Sequence, residues 1–327
     1  MNLSDPKSNL RNFLHKSYKE KTHKIVRIEI FRNRNNFVRT MEKFLVTGTT
    51  GRVGSVVFKM LKKYAPKDSE IIAGDIDESK VKEMHGKNAL FRELNYDKPD
   101  TLKSSLEGIT KIFLMRPPQI EKIKEYMAPF IKLAAKMGVK HVVFLSIIDA
   151  NPMVPHFHVE KYIKKYGIPY TFLRCSFFMQ NLDMVHGEVI KKELDIYVPA
   201  GKGKTSFIDA RDIGEIAAIC LTNSEKYIGT QPPLTGSEAL DYEEVATKMT
   251  DILGLPIKYS NPQPKDFVNK MVKEYGFPED YAKVMKMIYF IVRKGLAKKI
   301  FPDAENILGR KPRLIDEYIK DYSSKWR

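Results

Sequence analysis

Short apolar runs alternate with longer stretches of helical periodicity from residue 41 onward. The apolar runs, which predict strands, are residues 44–47, 71–74, 90–93, 111–115, 141–146 and 170–174. The stretches between them, which predict helices, are residues 55–64, 78–85, 101–106, 120–137 and 157–166. Strands separated by helices of this length form parallel β-α-β units with right-handed crossovers. The pattern therefore predicts an α/β protein with a doubly wound parallel sheet of the Rossmann type.

The pattern changes after Arg174. Loop-rich segments alternate there with predicted helices at residues 213–221, 242–253, 264–275 and 279–294. We expect a smaller C-terminal α/β lobe that closes over the carboxyl ends of the strands, where open α/β sheets bind ligands. The predicted division is a basic N-terminal extension at 1–40, a Rossmann domain at 41–175 and a substrate lobe at 176–327, the last two being parts of one domain.

The chain carries 56 Lys and Arg against 40 Asp and Glu over 327 residues, a net charge of +16. Residues 1–40 hold ten of the basic and three of the acidic residues, so this segment alone supplies +7. Its composition fits an extension, a targeting peptide or an upstream start codon, and we expect an extension without a catalytic role. The remaining charge is spread over predicted helix faces without a basic stripe, which predicts no nucleic-acid partner.

The longest apolar stretch, residues 287–292, is far too short to cross a bilayer, and no apolar segment typical of a secretory signal lies near the start. We therefore expect no membrane partner. The two cysteines, Cys175 and Cys220, imply no disulfide framework and fit a reducing compartment. The expected location is the cytoplasm.

The most informative segment follows the first predicted strand and opens the first predicted helix. It is Gly48-Thr49-Thr50-Gly51-Arg52-Val53-Gly54. Gly48 permits a tight turn, Gly51 lets a phosphate approach the backbone, and Gly54 lets the helix pack closely on the strand. A strand, this turn and a helix aim backbone N–H groups at one point, which predicts a site for the pyrophosphate of a dinucleotide.

Two residues bear on the preferred dinucleotide, and they favour different ones. Asp75 ends the second strand, where a carboxylate usually binds the ribose hydroxyls and repels a 2′-phosphate, which favours NAD. Arg52, inside the glycine turn, is the candidate that would accept the phosphate of NADP. The sequence thus predicts NAD or NADP, with NAD slightly favoured.

The catalytic residues are less evident. The helix after the fifth strand lacks the Tyr-x-x-x-Lys pair with which short-chain dehydrogenases transfer a proton. It begins with His156, whose ordinary pKa suits proton donation near neutrality. His156 is therefore the predicted general acid, the alternative being an exposed residue at the helix N-terminus. No His/Cys cluster has the spacing of metal ligands, so we expect no metal.

Several motifs together resemble the NmrA-like family of atypical short-chain dehydrogenases, including its quinone oxidoreductase-like members, from residue 41 almost to the C-terminus. Beside the glycine turn they are FLMRPP at 113–118, FLS at 144–146, GIPYTFLR at 167–174, FFMQN at 177–181, FIDARDIG at 207–214 and LTGSEALDY at 234–242. The resemblance implies that Arg116, Pro117 and Ser146 lie at the nicotinamide half of the cofactor. It also implies that His156 occupies a catalytic position.

The same resemblance implies a substrate pocket lined by Phe177, Phe178, Gln180 and Asn181. The expected function is an NAD(P)H-dependent oxidoreductase that passes hydride to a small apolar acceptor such as a quinone or an enone. The alternative is a non-catalytic NAD(P)-binding redox sensor that regulates a protein partner. The missing Tyr-x-x-x-Lys pair leaves both hypotheses open.

Overall fold

Residues 41–327 are described by the structure, a computed structural model, and the predicted extension at 1–40 lies outside them. The strands are β1 (Lys43–Thr47), β2 (Glu70–Asp75), β3 (Leu90–Glu93), β4 (Lys111–Leu114), β5 (His141–Ile147), β6 (Tyr170–Cys175), β7 (Asp195–Ile196), β8 (Pro233–Leu234) and β9 (Lys258–Tyr259). Seven of these described strands form one parallel sheet in the order β3-β2-β1-β4-β5-β6-β8. The order reverses between β1 and β4, which makes their carboxyl ends the switch point of the sheet.

Helices cover both faces of this sheet. The first helices are α1 (Arg52–Tyr64), α2 (Glu78–His85), α3 (Pro99–Ser105), α4 (Ile123–Lys136) and α5 (Pro155–Lys165). Successive strand residues point to opposite faces, so Val46 packs with α1 and α2 while Leu45 packs with α3, α4 and α5. Both faces are thus buried, as in other parallel sheets.

The C-terminal half contains the other helices. They are α6 (Asn181–Met184), α7 (Gly187–Glu193), α8 (Ala210–Thr222), α9 (Ser224–Tyr227), α10 (Tyr242–Leu253), α11 (Pro264–Lys273), α12 (Glu279–Arg293), α13 (Asp303–Leu308) and α14 (Ile315–Asp321), with a 3₁₀ turn at Ser323–Lys325. Helices α7, α10, α11, α12 and α14 surround a separate hydrophobic core, beside which β7 and β9 pair as a small parallel ladder. This part corresponds in position to the predicted C-terminal lobe, and its binding of substrate stays a prediction.

The two cores do not divide at residue 175, where the prediction placed the boundary. Strand β8 pairs with β6, and α8 packs on α1 with Gly214 against the side chain of Val56. Both elements come from the predicted lobe yet complete the sheet layer. Residues 176–327 thus alternate between the two cores along the chain.

The predicted α/β class and the parallel doubly wound sheet are confirmed. Cys175 and Cys220 are free and buried. In the described part of the chain, no helix combines the length and the apolar character that spanning a membrane requires.

Candidate functional site

The glycine turn lies at the carboxyl end of β1, at the switch point. Gly48 has a φ of +65°, and a Cβ there would lie 2.2 Å from Sδ of Met115. A Cβ on Gly54 would lie 2.1 Å from the carbonyl oxygen of Gly48, closer than any side chain could approach. The turn therefore requires glycine at both positions, and it packs directly against the segment that follows β4.

Helix α1 begins in this turn with its positive end exposed to a cleft. Gly51 is the N-cap, no side chain caps the helix, and its first turn has no acidic residue. The N–H groups of Arg52, Val53 and Gly54 precede the first intrahelical bond and so have no partner within the helix. A cleft of about 520 Å³, lined in part by Thr50, Gly51 and Arg52, opens at this point. These features form an anion-binding site.

Asp75 stabilises the glycine turn. Its Oδ2 accepts hydrogen bonds from the N–H (2.9 Å) and Oγ1 (3.0 Å) of Thr50 and from Oγ1 of Thr49 (3.4 Å). Its Oδ1 accepts one from the N–H of Ile76 (2.8 Å). The carboxylate expected to bind ribose is therefore nearly buried and engaged by the turn itself. Asp77, two residues on, caps α2 through the N–H of Lys80.

Arg52 points into the same cleft. Its Nη2 forms an ion pair of 2.6 Å with Oδ2 of the buried Asp183, and its guanidinium lies 5.8 Å from the ring centre of Tyr322. The Arg52 side chain remains about one-third exposed. Lys80 of α2 and Arg211 of α8 line the cleft as well. Arg52 thus lies beside the helix N-terminus with Asp183 as its ion-pair partner, in a cleft that other basic side chains also line.

Arg116 organises the loop after β4. Its Nη1 donates hydrogen bonds to the carbonyl oxygens of Pro117 (3.0 Å), Pro118 (3.0 Å) and Ile120 (2.8 Å). Its Nε is buried and has no hydrogen-bond partner within the described residues. Burial lowers the pKa of the guanidinium, an effect that the nearby carboxylate of Glu121 partly opposes. The loop therefore brings a cation and an unpartnered donor to the switch point.

His156 lies in the first turn of α5, near Arg116. Burial, reinforced by the positive charge of Arg116, lowers the pKa of its imidazole to about 3. Its ring centre lies 6.2 Å from that of Phe144 on β5. The site therefore favours the neutral imidazole, and the role of His156 as general acid stays a prediction. A neutral imidazole can still donate a hydrogen bond or pass a proton from water.

A buried carboxylate that the sequence did not reveal joins Ser146 to Arg174. Glu160 of α5 accepts a hydrogen bond from Oγ of Ser146 (2.7 Å) and from Nε (3.2 Å) and Nη2 (2.7 Å) of Arg174. Ser146 and Glu160 are almost completely buried. The available signal is the helical spacing of Glu160 with Val159 and Ile163, because these three residues face the sheet together.

The four predicted pocket residues separate into two groups. Phe177 packs against the lobe core, whereas Phe178 packs against the sheet core and pairs with Ile208 in a β-bridge. Gln180 is buried and uses its amide to bind Oδ1 of Asp209 and the N–H of Ala210, beside the glycine turn. Asn181 begins α6, where its backbone accepts hydrogen bonds from the next turn.

Most of the predicted residues therefore occupy two neighbouring regions of one edge of the sheet, whereas Phe177, Phe178 and Asn181 lie outside both. The first combines the glycine turn, Asp75, Arg52 and Gln180; the second combines Arg116, His156 and Ser146. Contact between Met115 and Gly48 connects them. Within residues 41–327, no group of three or more His, Cys, Asp or Glu side chains could hold a metal ion.

A doubly wound parallel sheet with this glycine turn at its switch point defines a Rossmann-type fold. The model of the NmrA-like family matches residues 40–319, and the chain belongs to that family. This confirms the resemblance drawn from the sequence motifs.

Two similar proteins align along nearly their whole length. Prestalk A differentiation protein A of Dictyostelium discoideum is 29% identical over 290 residues, which cover 88% of this chain and 94% of that protein. An NAD(P)H azoreductase of Xenophilus azovorans is 28% identical over 289 residues, which cover 86% of this chain and 98% of that protein.

Solved structures share the fold. A Citrobacter sp. triphenylmethane reductase complexed with NADP(H) has a TM-score of 0.76 at 24% identity, covering 85% of this chain and 99% of its own. An Escherichia coli NADPH-dependent quinone oxidoreductase complexed with NADPH has the same TM-score at 23% identity, with the same coverage. The negative transcriptional regulator NmrA, in complex with NADP, has a TM-score of 0.69 at 16% identity, and the match covers 87% of this chain and 96% of that protein.

Proposed function

We propose that this protein is an NAD(P)H-dependent oxidoreductase that passes hydride to a small apolar acceptor such as a quinone or an enone. The observation that carries the proposal is the switch point, where the glycine turn packs against Met115, next to Arg116, and Arg116 in turn lies near His156 of α5. The relatives that bear enzyme names, an azoreductase among them, support the same class of reaction. Hydride chemistry would reside in the nicotinamide, and the protein would bind and orient it.

The residues of the turn fit a dinucleotide. Gly48 and Gly54 leave no room for a Cβ, so the turn packs tightly between α1 and Met115, and the first N–H groups of α1 would bind the pyrophosphate. The loop from Met115 to Pro117 lies on the other side of the turn and would support the nicotinamide half. The unpartnered Nε of Arg116 is a donor suited to a carboxamide or phosphate oxygen.

His156 would act as a neutral group at the acceptor. Its low pKa keeps a proton off the second ring nitrogen, so one nitrogen can donate a hydrogen bond to a carbonyl oxygen. The developing negative charge on that oxygen would then draw a proton through the imidazole or from ordered water. Ser146, held by Glu160, would fix the orientation of α5 and hence of His156. Phe177, Phe178 and Asn181 are proposed to line the acceptor pocket.

We propose that Arg52 determines the nucleotide preference. The slight preference for NAD expected from Asp75 has no support, because that carboxylate is engaged by the turn and the structural neighbours bind NADP(H). Replacing Arg52 by Gln should raise KM for NADPH at least several-fold and leave KM for NADH unchanged. The control, Lys63→Gln, changes the charge at the far end of the same helix. Equal effects on both nucleotides would show that Arg52 acts only through its ion pair with Asp183.

The decisive experiment is a titration of the purified protein with NADH and with NADPH, followed by fluorescence and repeated with menadione present. Tight binding with steady oxidation of the nucleotide is the expected result. His156→Ala should then lower kcat by about 100-fold, the usual contribution of a proton-transfer group. Unchanged turnover in His156→Ala would remove its proton-transfer role and leave the reductase function intact. Absence of nucleotide binding would overturn the proposal as a whole.

A second candidate is a redox sensor that binds NAD(P) without turnover and regulates a protein partner. It is favoured by the absence of a Tyr-x-x-x-Lys pair in α5 and by the similarity to NmrA, a negative transcriptional regulator that binds NADP. The same titration separates the two functions. Stoichiometric binding without oxidation of either nucleotide across a panel of quinones would favour the sensor.

A further inference from the structure

Exposed apolar side chains concentrate in residues 281–300. Phe290 is 57% exposed and Leu296 69% exposed. Five more large apolar residues of this segment are also exposed, namely Tyr281, Val284, Met287, Ile291 and Ile300. The segment contains the apolar stretch 287–292 that is too short to span a membrane. Such a concentration marks an interaction surface.

The same segment is strongly basic. Its six charged residues are Lys283, Lys286, Arg293, Lys294, Lys298 and Lys299, and it has no acidic residue. All six are exposed. Lys283 pairs with Glu279 and Asp280 at the start of α12. Within the described part of the chain, the other five have no carboxylate within ion-pair distance, so their charge is available to an outside partner.

The fold holds this surface outward. The opposite face of α12 is buried in the lobe core through Ala282, Met285, Tyr289 and Val292. A Cβ on Gly203 would lie 2.0 Å from the carbonyl oxygen of Val292, so the end of the helix lies directly on the lobe backbone. Val284, Met287 and Ile291 therefore cannot turn into the core without displacing residues already packed there.

We propose that residues 281–300 form a docking surface for an anionic phospholipid membrane. A helix that lies in a membrane interface needs apolar side chains to enter the acyl boundary and lysines or arginines beside them to meet the headgroups. This surface supplies both. Basic and apolar side chains are direct neighbours on this surface, since Nζ of Lys294 lies 5.4 Å from the ring centre of Phe290.

Other partners match the surface less well. A second copy docked symmetrically would oppose two faces of the same strong positive charge. Nucleic acid would match the charge but leave the apolar side chains against a polar backbone. The inference is independent of the proposed function. It differs from the expectation of no membrane partner, which rested on the length needed to span a bilayer, and the vesicle experiment below decides between the two.

The test is flotation of the full chain with vesicles of phosphatidylcholine, with and without about one-third phosphatidylserine, at low and high salt. Lys286→Glu/Lys294→Glu/Lys298→Glu should reduce binding to the anionic vesicles on the order of 100-fold. Phe290→Ser/Leu296→Ser should reduce it about tenfold or more at unchanged charge. The matched control, Lys124→Glu/Lys132→Glu/Lys136→Glu on α4, changes the net charge equally and should bind like the wild type. It corrects for the basic residues at 1–40, which all variants retain.

Binding that requires phosphatidylserine and is lost in both surface variants would support the proposal. It would be overturned if the surface and control variants bound equally, or if the wild type did not float with anionic vesicles. Concentration-dependent dimerisation abolished by Phe290→Ser/Leu296→Ser, without vesicle binding, would assign the surface to a second copy. Binding to a nucleic-acid homopolymer through the same lysines, without vesicle binding, would likewise overturn it.

Discussion

Replacing Glu160 tests whether the buried carboxylate holds α5 to β5 and β6 through Ser146 and Arg174. Glu160 is 2% exposed and accepts three hydrogen bonds from Ser146 and Arg174. Glu160→Ala leaves the Arg174 guanidinium, which is partly exposed, without its counter-charge, and the Ser146 hydroxyl without its acceptor. Removing one partner of a buried ion pair costs about 3–5 kcal/mol, and the partial exposure of Arg174 places our expectation at about 3 kcal/mol. Glu160→Gln, which preserves the shape, should cost about 1–2 kcal/mol.

The measurement is urea unfolding followed by the fluorescence of Trp326, the single tryptophan of the chain, which is buried. With a slope near 3 kcal/mol/M, Glu160→Ala should lower the midpoint by about 1 M. The control, Glu83→Ala, removes an exposed carboxylate from α2 and should change stability by less than about 0.5 kcal/mol. If Glu160→Ala lost less than about 1 kcal/mol at an unchanged slope, the argument that Glu160 holds the network would be wrong.

Three further predictions follow from the geometry. Gly54→Ala should abolish nucleotide binding and lower the free energy of unfolding by about 2–3 kcal/mol, because its Cβ would meet the Gly48 carbonyl. The control, Gly187→Ala, should change neither, because the nearest atom would lie 3.8 Å from its Cβ. Desolvation lowers the pKa values of three histidines: the buried His141 and His186 to about 4, and the half-buried His156 to about 3. Their unfolded forms take up protons near pH 6.5 while the folded forms stay neutral, so the urea midpoint should fall from pH 7.5 to pH 5; an equal or higher midpoint at pH 5 would contradict this. Burial raises the thiol pKa values of Cys175 and Cys220, so an aqueous thiol reagent should label them in urea only, and rapid native labelling would show that they are accessible.

The sequence predicts the sheet well because the apolar run of each strand indicates by itself that the strand is buried. Strand β3 was predicted with the bounds it has, and the other five strands within one residue at each end. Strand β8 was missed because Pro233 and Leu234 show no local strand pattern, and their pairing with β6 is imposed by the packing of the chain around them. Periodicity likewise could not place α8 in the sheet layer, since its contact with α1 depends on Gly214.

The site is predictable where it is local. The glycine turn needs residues only a few positions apart, so its motif reveals it. The lowered pKa of His156 depends on burial and on Arg116 in the loop after β4, and neither is visible in the helix that carries His156. Asp75 shows the same limit, because its position predicts a ribose contact whereas its carboxylate binds the turn. A single sequence does not reveal which distant residues contact a side chain, nor how deeply those residues bury it.

The chain passes repeatedly between the sheet and the lobe, and this limits how the protein can evolve. After β6 the chain enters the lobe, returns to the sheet layer as α8 and β8, and leaves again through α10. No single cut separates the halves, so the lobe cannot be exchanged as a cassette, and residues 41–175 expressed alone would lack both β8 and α8. New acceptors can therefore be acquired only by substitution and by changes in loop length within a fixed scaffold.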